Sequence, residues 1–228
     1  MHLGWLCATG WECAVVSIAF LGGTIIQGLA VLNYPEYVFK RWHVTLITIA
    51  IALFAVLFNT FLAKRLPLVE AFVLILHVAG LFIIIIPLWV LAPISDATTV
   101  FAQFSNSGGW SDGTATMVGL VTAITAIIGY GCTVHMSEEV RDASSALPKP
   151  IMSAVTLNGS MAFVVLVTLY FTLGNLDEVL NTDTGYPFIQ VFYNVTKSYP
   201  ATNAMTSIVV LAIISSVITE VATASRQL

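Results

Sequence analysis

Six long apolar stretches, each with almost no charge, constrain this chain more than anything else in it. They run approximately Leu3–Leu32, Val44–Ala63, Leu68–Ala92, Thr116–Met136, Ile151–Leu173 and Met205–Ala224. A helix that crosses a bilayer satisfies its own backbone hydrogen bonds through about 30 Å of hydrocarbon, which takes roughly 20 mostly apolar residues. Every stretch reaches that length. Polar connectors bearing Gly and Pro separate them, among them NYPEYVFKRWH, AKRLP and SEEVRDASSALPKP. The expected fold is all-α: a polytopic transmembrane bundle of six spans, one domain over residues 1–228, with the lipid bilayer as its surroundings.

Composition closes the other routes. Of 228 residues, 8 are Lys or Arg and 12 are Asp or Glu, a charged fraction of 9%, against about 25% in soluble domains. A nucleic-acid partner is excluded, because a formal net charge of −4 leaves no basic stripe to displace counterions from phosphate. Cys7, Cys13 and Cys132 form no CxxC pair and no Cys/His cluster, so neither metal nor cofactor is expected. No nucleophile and base, and no pair of catalytic carboxylates, occur at matching depth, which argues against an intramembrane enzyme.

Alternating connectors carry Lys64, Arg65, Arg141, Lys149 and Arg226 on one side and Lys40, Arg41 and Lys197 on the other. The more basic side is assigned to the cytoplasm. Glu36, Asp96, Asp112, Asp177, Glu178 and Asp183 then fall outside, with the sequon Asn194-Val195-Thr196 as a glycosylation candidate. A second match, Asn158-Gly159-Ser160, lies inside a span and is expected to stay unmodified. The plasma membrane is the expected location, with a vacuolar or other internal membrane as the alternative. An apolar span starts within two residues of Met1, without a basic region or cleavage site, so it is not a signal peptide. EVATASRQL stops where a span leaves the membrane, and both ends read as cut.

Ionisable groups within spans cost about 2.5–3.5 kcal/mol at mid-bilayer on insertion scales, so they face a bundle interior or a cavity. Glu12 reads either as an interhelical hydrogen-bond partner or as a protonatable group near a substrate path. Glu220, with Ser215, Ser216 and Thr219, puts a polar stripe on the last span, a candidate for proton or ion coupling. His77 reads as a satisfied interhelical hydrogen bond, and Glu70, near the interface, snorkels. In TAITAIIGYGCTVHMSEE, Gly129 and Gly131 flank Tyr130, each weakening the helix by about 1 kcal/mol relative to Ala. Two readings stand for this segment: an unwound stretch whose freed backbone groups bind substrate or ions, or a small-residue surface for close helix packing.

His135, Glu138 and Glu139 share one helix face. Capping and salt bridging near Arg141 and Asp142 suit them better than a metal, which lacks a ligand from another helix. Pro87 is expected to kink the third span. Gly22, Gly23 and Gly28 offer close packing, and Trp42, Trp89 and Trp110 serve as interfacial anchors.

HMSEEVRDASSALPKPIMSAVTLNG, NTFLAKRLPLVEAFVLILHVAG, TGYPFIQVFYN and ATASRQL together closely resemble the fungal amino-acid/choline/GABA permeases of the amino acid-polyamine-organocation superfamily, over essentially the whole chain. The resemblance implies a five-plus-five inverted-repeat fold, alternating access, and a central site built around two broken helices. It matches the six spans to the family's third to eighth, so the chain reads as the middle of a permease. The implied function is secondary transport of an amino acid, choline, GABA or a related amine with a symported proton. A truncated, transport-inactive fragment is the alternative.

By the same resemblance, Gly129, Tyr130, Gly131 and Cys132 match the unwound substrate-binding part of the sixth helix. His135 stands beside Glu138, Glu139, Arg141 and Pro148, which match its cytoplasmic signature. Two departures stand out. Gly131 occupies a place where many relatives carry an acid, which weakens the case for a cationic substrate at that helix. Glu220 stands where a neutral polar residue is the commoner choice.

Overall fold

The computed structural model describes residues 2–102, 104, 106, 108–125, 129, 131–135, 137 and 140–226. Among these the chain is all-helical, without strands. Five helices are long and apolar enough to cross a bilayer: Gly4–Asn33, Arg41–Phe61, Ala63–Leu91, Ala143–Thr172 and Tyr199–Ala224. In the fourth expected span, Thr116–Met136, residues 126–128, 130 and 136 lie outside the described residues. α5 covers Asp112–Thr125 and α6 covers Gly131–His135.

The chain divides into two units, Met1–Ile94 with Thr172–Leu228, and Ser95–Phe171. In the first, α1 (His2–Asn33), α2 (Arg41–Phe61) and α3 (Leu66–Leu91) are joined to α9 (Leu176–Leu180), α10 (Pro187–Thr196) and α11 (Tyr199–Ala224). α11 is the hub, packing on α1, α2, α3 and α10. One core gathers Ala19, Ile51, Ala55, Val217 and Ile218; a second gathers Ile25, Ile189 and Val210. Small residues set the spacing. A Cβ on Gly80 would lie 2.6 Å from Ile208 Cγ2, and one on Gly28 would lie 2.8 Å from the Thr184 carbonyl oxygen. Gly22 and Gly23 likewise sit against Ile213 and Thr48, as their expected packing role requires.

Polar side chains inside this apolar bundle lock the helices together. Asn59 donates to the Ile218 carbonyl at 2.8 Å, tying α2 to α11. Asn33 and Asn203 exchange amide hydrogen bonds at 2.9 and 2.8 Å, tying the end of α1 to the start of α11. In hydrocarbon such groups have no water to turn to, so the pairing defines the register of the two helices.

Helix ends carry more information than the apolar stretches disclosed. α11 begins at Tyr199, six residues before the expected Met205, because Ser198 accepts from the Ala201 N–H and Pro200 occupies the first turn. The connector after residue 173, read as irregular, holds α9 and α10. Asn175 caps α9 by accepting from the Asp177 and Glu178 N–H groups, and the acids of that first turn suit the helix dipole. Pro187 opens α10, and Lys197 closes it in the left-handed region at φ 50°. α3 continues through Pro87 to Leu91.

The second unit contains α4 (Ala97–Ala102), α5, α6, α7 (Ala143–Ala146) and α8 (Pro148–Thr172). Its two ends meet where the Ser95 N–H donates to the Phe171 carbonyl at 2.8 Å and Phe101 packs edge-on against Phe171. Asp96 opens α4: the Thr98 hydroxyl and N–H both donate to its carboxylate, which holds that carboxyl below its ordinary range.

Candidate functional site

The segment singled out for substrate contact sits in the second unit. Gly129 is exposed, Gly131 is the first residue of α6, and Cys132 is half-buried within it. Tyr130 lies outside the described residues, as do Glu138 and Glu139. α5 is described to Thr125 and α6 from Gly131, and residues 126–128 and 130 between them lie outside the described residues. His135 ends α6 and is half-buried; Arg141 is exposed, and Pro148 starts α8.

The coupling candidates sit in the first unit, on two different helices. Glu12 is an exposed residue of α1, and His77 an exposed residue of α3. On α11, Ser215 and Ser216 donate to the carbonyls of Leu211 and Ala212 at 2.8 and 3.1 Å. Their donors are used within the helix, and their oxygens keep acceptor capacity. Glu220 lies four residues before the helix ends at Ala224. It is half-buried, and its Oε2 is buried without a hydrogen-bond partner.

The hydroxyl of the neighbouring Thr219 donates to Glu70 Oε1 on α3. Glu70, expected only to snorkel, is therefore a tie between α3 and α11 beside the α11 carboxylate. A second residue that escaped notice is Gln27, wholly buried in α1. Its Nε2 donates to the Tyr37 hydroxyl at 2.9 Å and to the Lys40 carbonyl at 3.3 Å. Amide side chains in apolar helices, Gln27 and Asn33 and Asn59 alike, were the available signal, since each must find a partner or a cavity.

The sequon residue Asn194 is half-buried in α10. Its Nδ2 donates to Glu178 Oε1 at 3.0 Å, and its Oδ1 accepts from Gln190 Nε2 at 3.0 Å. A glycan on Nδ2 would have to displace the first of these bonds.

Three comparisons with known proteins bear on this arrangement. A family model described as amino acid permease matches residues 3–228. A Macrophomina phaseolina protein named for amino acid/polyamine transport is 34% identical over 207 residues, covering 90% of this chain and 46% of that protein. The choline transporter of Saccharomyces cerevisiae is 30% identical over 172 residues, 74% of this chain and 30% of its own length. The 7-keto 8-aminopelargonic acid transporter of the same yeast is 29% identical over 204 residues, 86% of this chain and 35% of that protein. The chain thus spans less than half the length of these curated relatives. No solved structure matches it.

Proposed function

Because this chain belongs to the amino acid permease family, we propose that it forms part of a secondary active transporter for amino acids, choline or related amines, working by alternating access with a symported proton. The observation that carries this reading is the match of the amino acid permease family model to residues 3–228, beside a fourth span whose Gly129-Tyr130-Gly131 stretch holds two glycines that weaken a helix. A span broken near its glycines offers backbone N–H and C=O groups that a continuous helix would have consumed. Gly129, Tyr130, Gly131 and Cys132 are the proposed substrate contacts, through backbone dipoles that accept either end of a zwitterion. Glu220 is the proposed proton carrier, with Ser215, Ser216 and Thr219 as the polar path along α11. Glu12 is a second coupling candidate on α1.

The direct test is uptake by cells expressing the full-length protein. Gly131→Leu restores a helix-forming side chain at the proposed break, and uptake of the transported amine should fall at least tenfold with surface expression unchanged. Undiminished uptake would remove the segment from the substrate site.

A further inference from the structure

Where α1 finishes, against α9, the start of α10 and the connector between them, the described residues line an open cleft of about 580 Å³. That size is typical of small-molecule sites, which occupy about 300–1,000 Å³. One wall is aromatic, Tyr37 and Phe39 from the α1–α2 connector. α9, α10 and the connector between them contribute acidic and polar residues, Glu178 and Asp183 with Thr182 and Gln190. No Lys or Arg occurs among its described lining residues.

Both walls are held in place by bonds that lead away from the cleft. The Tyr37 hydroxyl accepts from the buried Gln27 amide at 2.9 Å and pairs with His43 Nδ1 at 2.5 Å, and its ring stacks on the His43 imidazole. On the other side the hydrogen bonds all run one way. The Thr182 hydroxyl donates to Gln190 Oε1 at 2.8 Å, Gln190 Nε2 donates to Asn194 Oδ1, and Asn194 Nδ2 donates to Glu178 Oε1. Each amide is oriented by the one before it, and the series ends on a carboxylate at the cleft wall. No described residue donates to the Asp183 carboxylate.

An occupant of this cleft meets two carboxylates, Glu178 and Asp183, and the aromatic side chains of Tyr37 and Phe39. Anions are repelled. A divalent metal prefers a fuller oxygen shell than two carboxylates supply, and the described His, Cys, Asp and Glu residues nowhere gather in threes that suit one. A small organic cation is attracted by both walls at once: the carboxylates supply counter-charge, and aromatic faces attract ammonium groups through their quadrupole. We propose that this cleft binds an ammonium or quaternary ammonium group, as a recruitment site built wholly from the first unit. The inference deepens the transport reading, on which amines are substrates. It also supplies acidic side chains that the Gly131 segment lacks.

The test places a reporter in the cleft. Asn181, which also lines it, is exchanged in the purified protein as Asn181→Cys, and its reaction with a neutral maleimide is followed at that residue by peptide mass spectrometry. Tetramethylammonium should slow the reaction at least fivefold, and an uncharged alcohol of the same size should not. Adding Glu178→Gln and Asp183→Asn should abolish the protection. In the reporter protein with both acids intact, protection should weaken as ionic strength rises, a readout that does not depend on how the neutralised variant folds. Equal rates with and without the cation, protection by the alcohol, or protection insensitive to salt would each overturn the proposal. Protection in a protein that takes up no amine would overturn the transport reading and leave this one standing; uptake without protection would do the reverse.

Discussion

Single residues decide how tightly the first unit closes, and the amide pair is the clearest case. Asn33 and Asn203 satisfy each other across α1 and α11, so removing one strands the other in an apolar setting. Asn33→Ala or Asn203→Ala alone should each cost about 1–3 kcal/mol, the usual penalty for an unsatisfied buried polar group. The double variant should cost clearly less than the sum, with a coupling of about 0.5–3 kcal/mol for groups in direct contact. Thermal unfolding of the detergent-solubilised protein measures all three. Strict additivity would mean that the two amides act independently. Neither residue stood out in the sequence, because an Asn near the end of an apolar stretch looks like the start of a polar connector.

Among elements, α11 matters most, since α1, α2, α3 and α10 all pack on it. Its approach to α3 depends on Gly80, and the approach of α1 to the loop before α10 depends on Gly28. Gly80→Ala and Gly28→Ala should each destabilise by about 1–3 kcal/mol through overpacking, seen as lower midpoints in the same unfolding assay. At Gly28 the obstacle is a backbone carbonyl, which cannot swing aside as a side-chain end can. Gly113 and Gly119, where an added Cβ meets nothing within 4 Å, are the controls and should tolerate Ala. A midpoint for Gly28→Ala as high as theirs would refute the close-packing role. The apolar lengths alone disclosed five spanning helices, and the glycines of α1 were legible as packing sites. Which neighbour each glycine meets was not, because that depends on crossings between helices far apart in sequence.

Across the whole molecule, proton coupling requires a group whose charge changes while the protein alternates between its two open states. Glu220 has a buried oxygen with no hydrogen-bond partner among the described residues, and the Thr219–Glu70 tie lies beside it, so the carboxyl and the α3–α11 contact are neighbours. If Glu220 carries the proton, uptake by the unaltered protein should rise as external pH falls, and Glu220→Gln should flatten that dependence. A variant that keeps the full pH response would move the role to another residue, with Glu12→Gln as the next to examine. The cleft between α1 and the α9–α10 segment is proposed to add a step before this cycle, capture of a cation from dilute solution.

What the sequence by itself determined is the kind of molecule. Long apolar stretches with scarce charge demand a helical membrane protein, since a continuous helix satisfies its own backbone in lipid, and four motifs in combination, from NTFLAKRLPLVEAFVLILHVAG to ATASRQL, indicate its family. Gly129 and Gly131 mark a weak point in the fourth span without fixing a helix end, because glycine lowers helix stability wherever it stands. The partners of Gln27, Asn33, Glu70 and Asn194 were decided by the tertiary structure alone. Each of those contacts joins residues whose spacing along the chain carries no periodic signal, and only the packing of α11 and α10 against the earlier helices brings them within a hydrogen bond's reach.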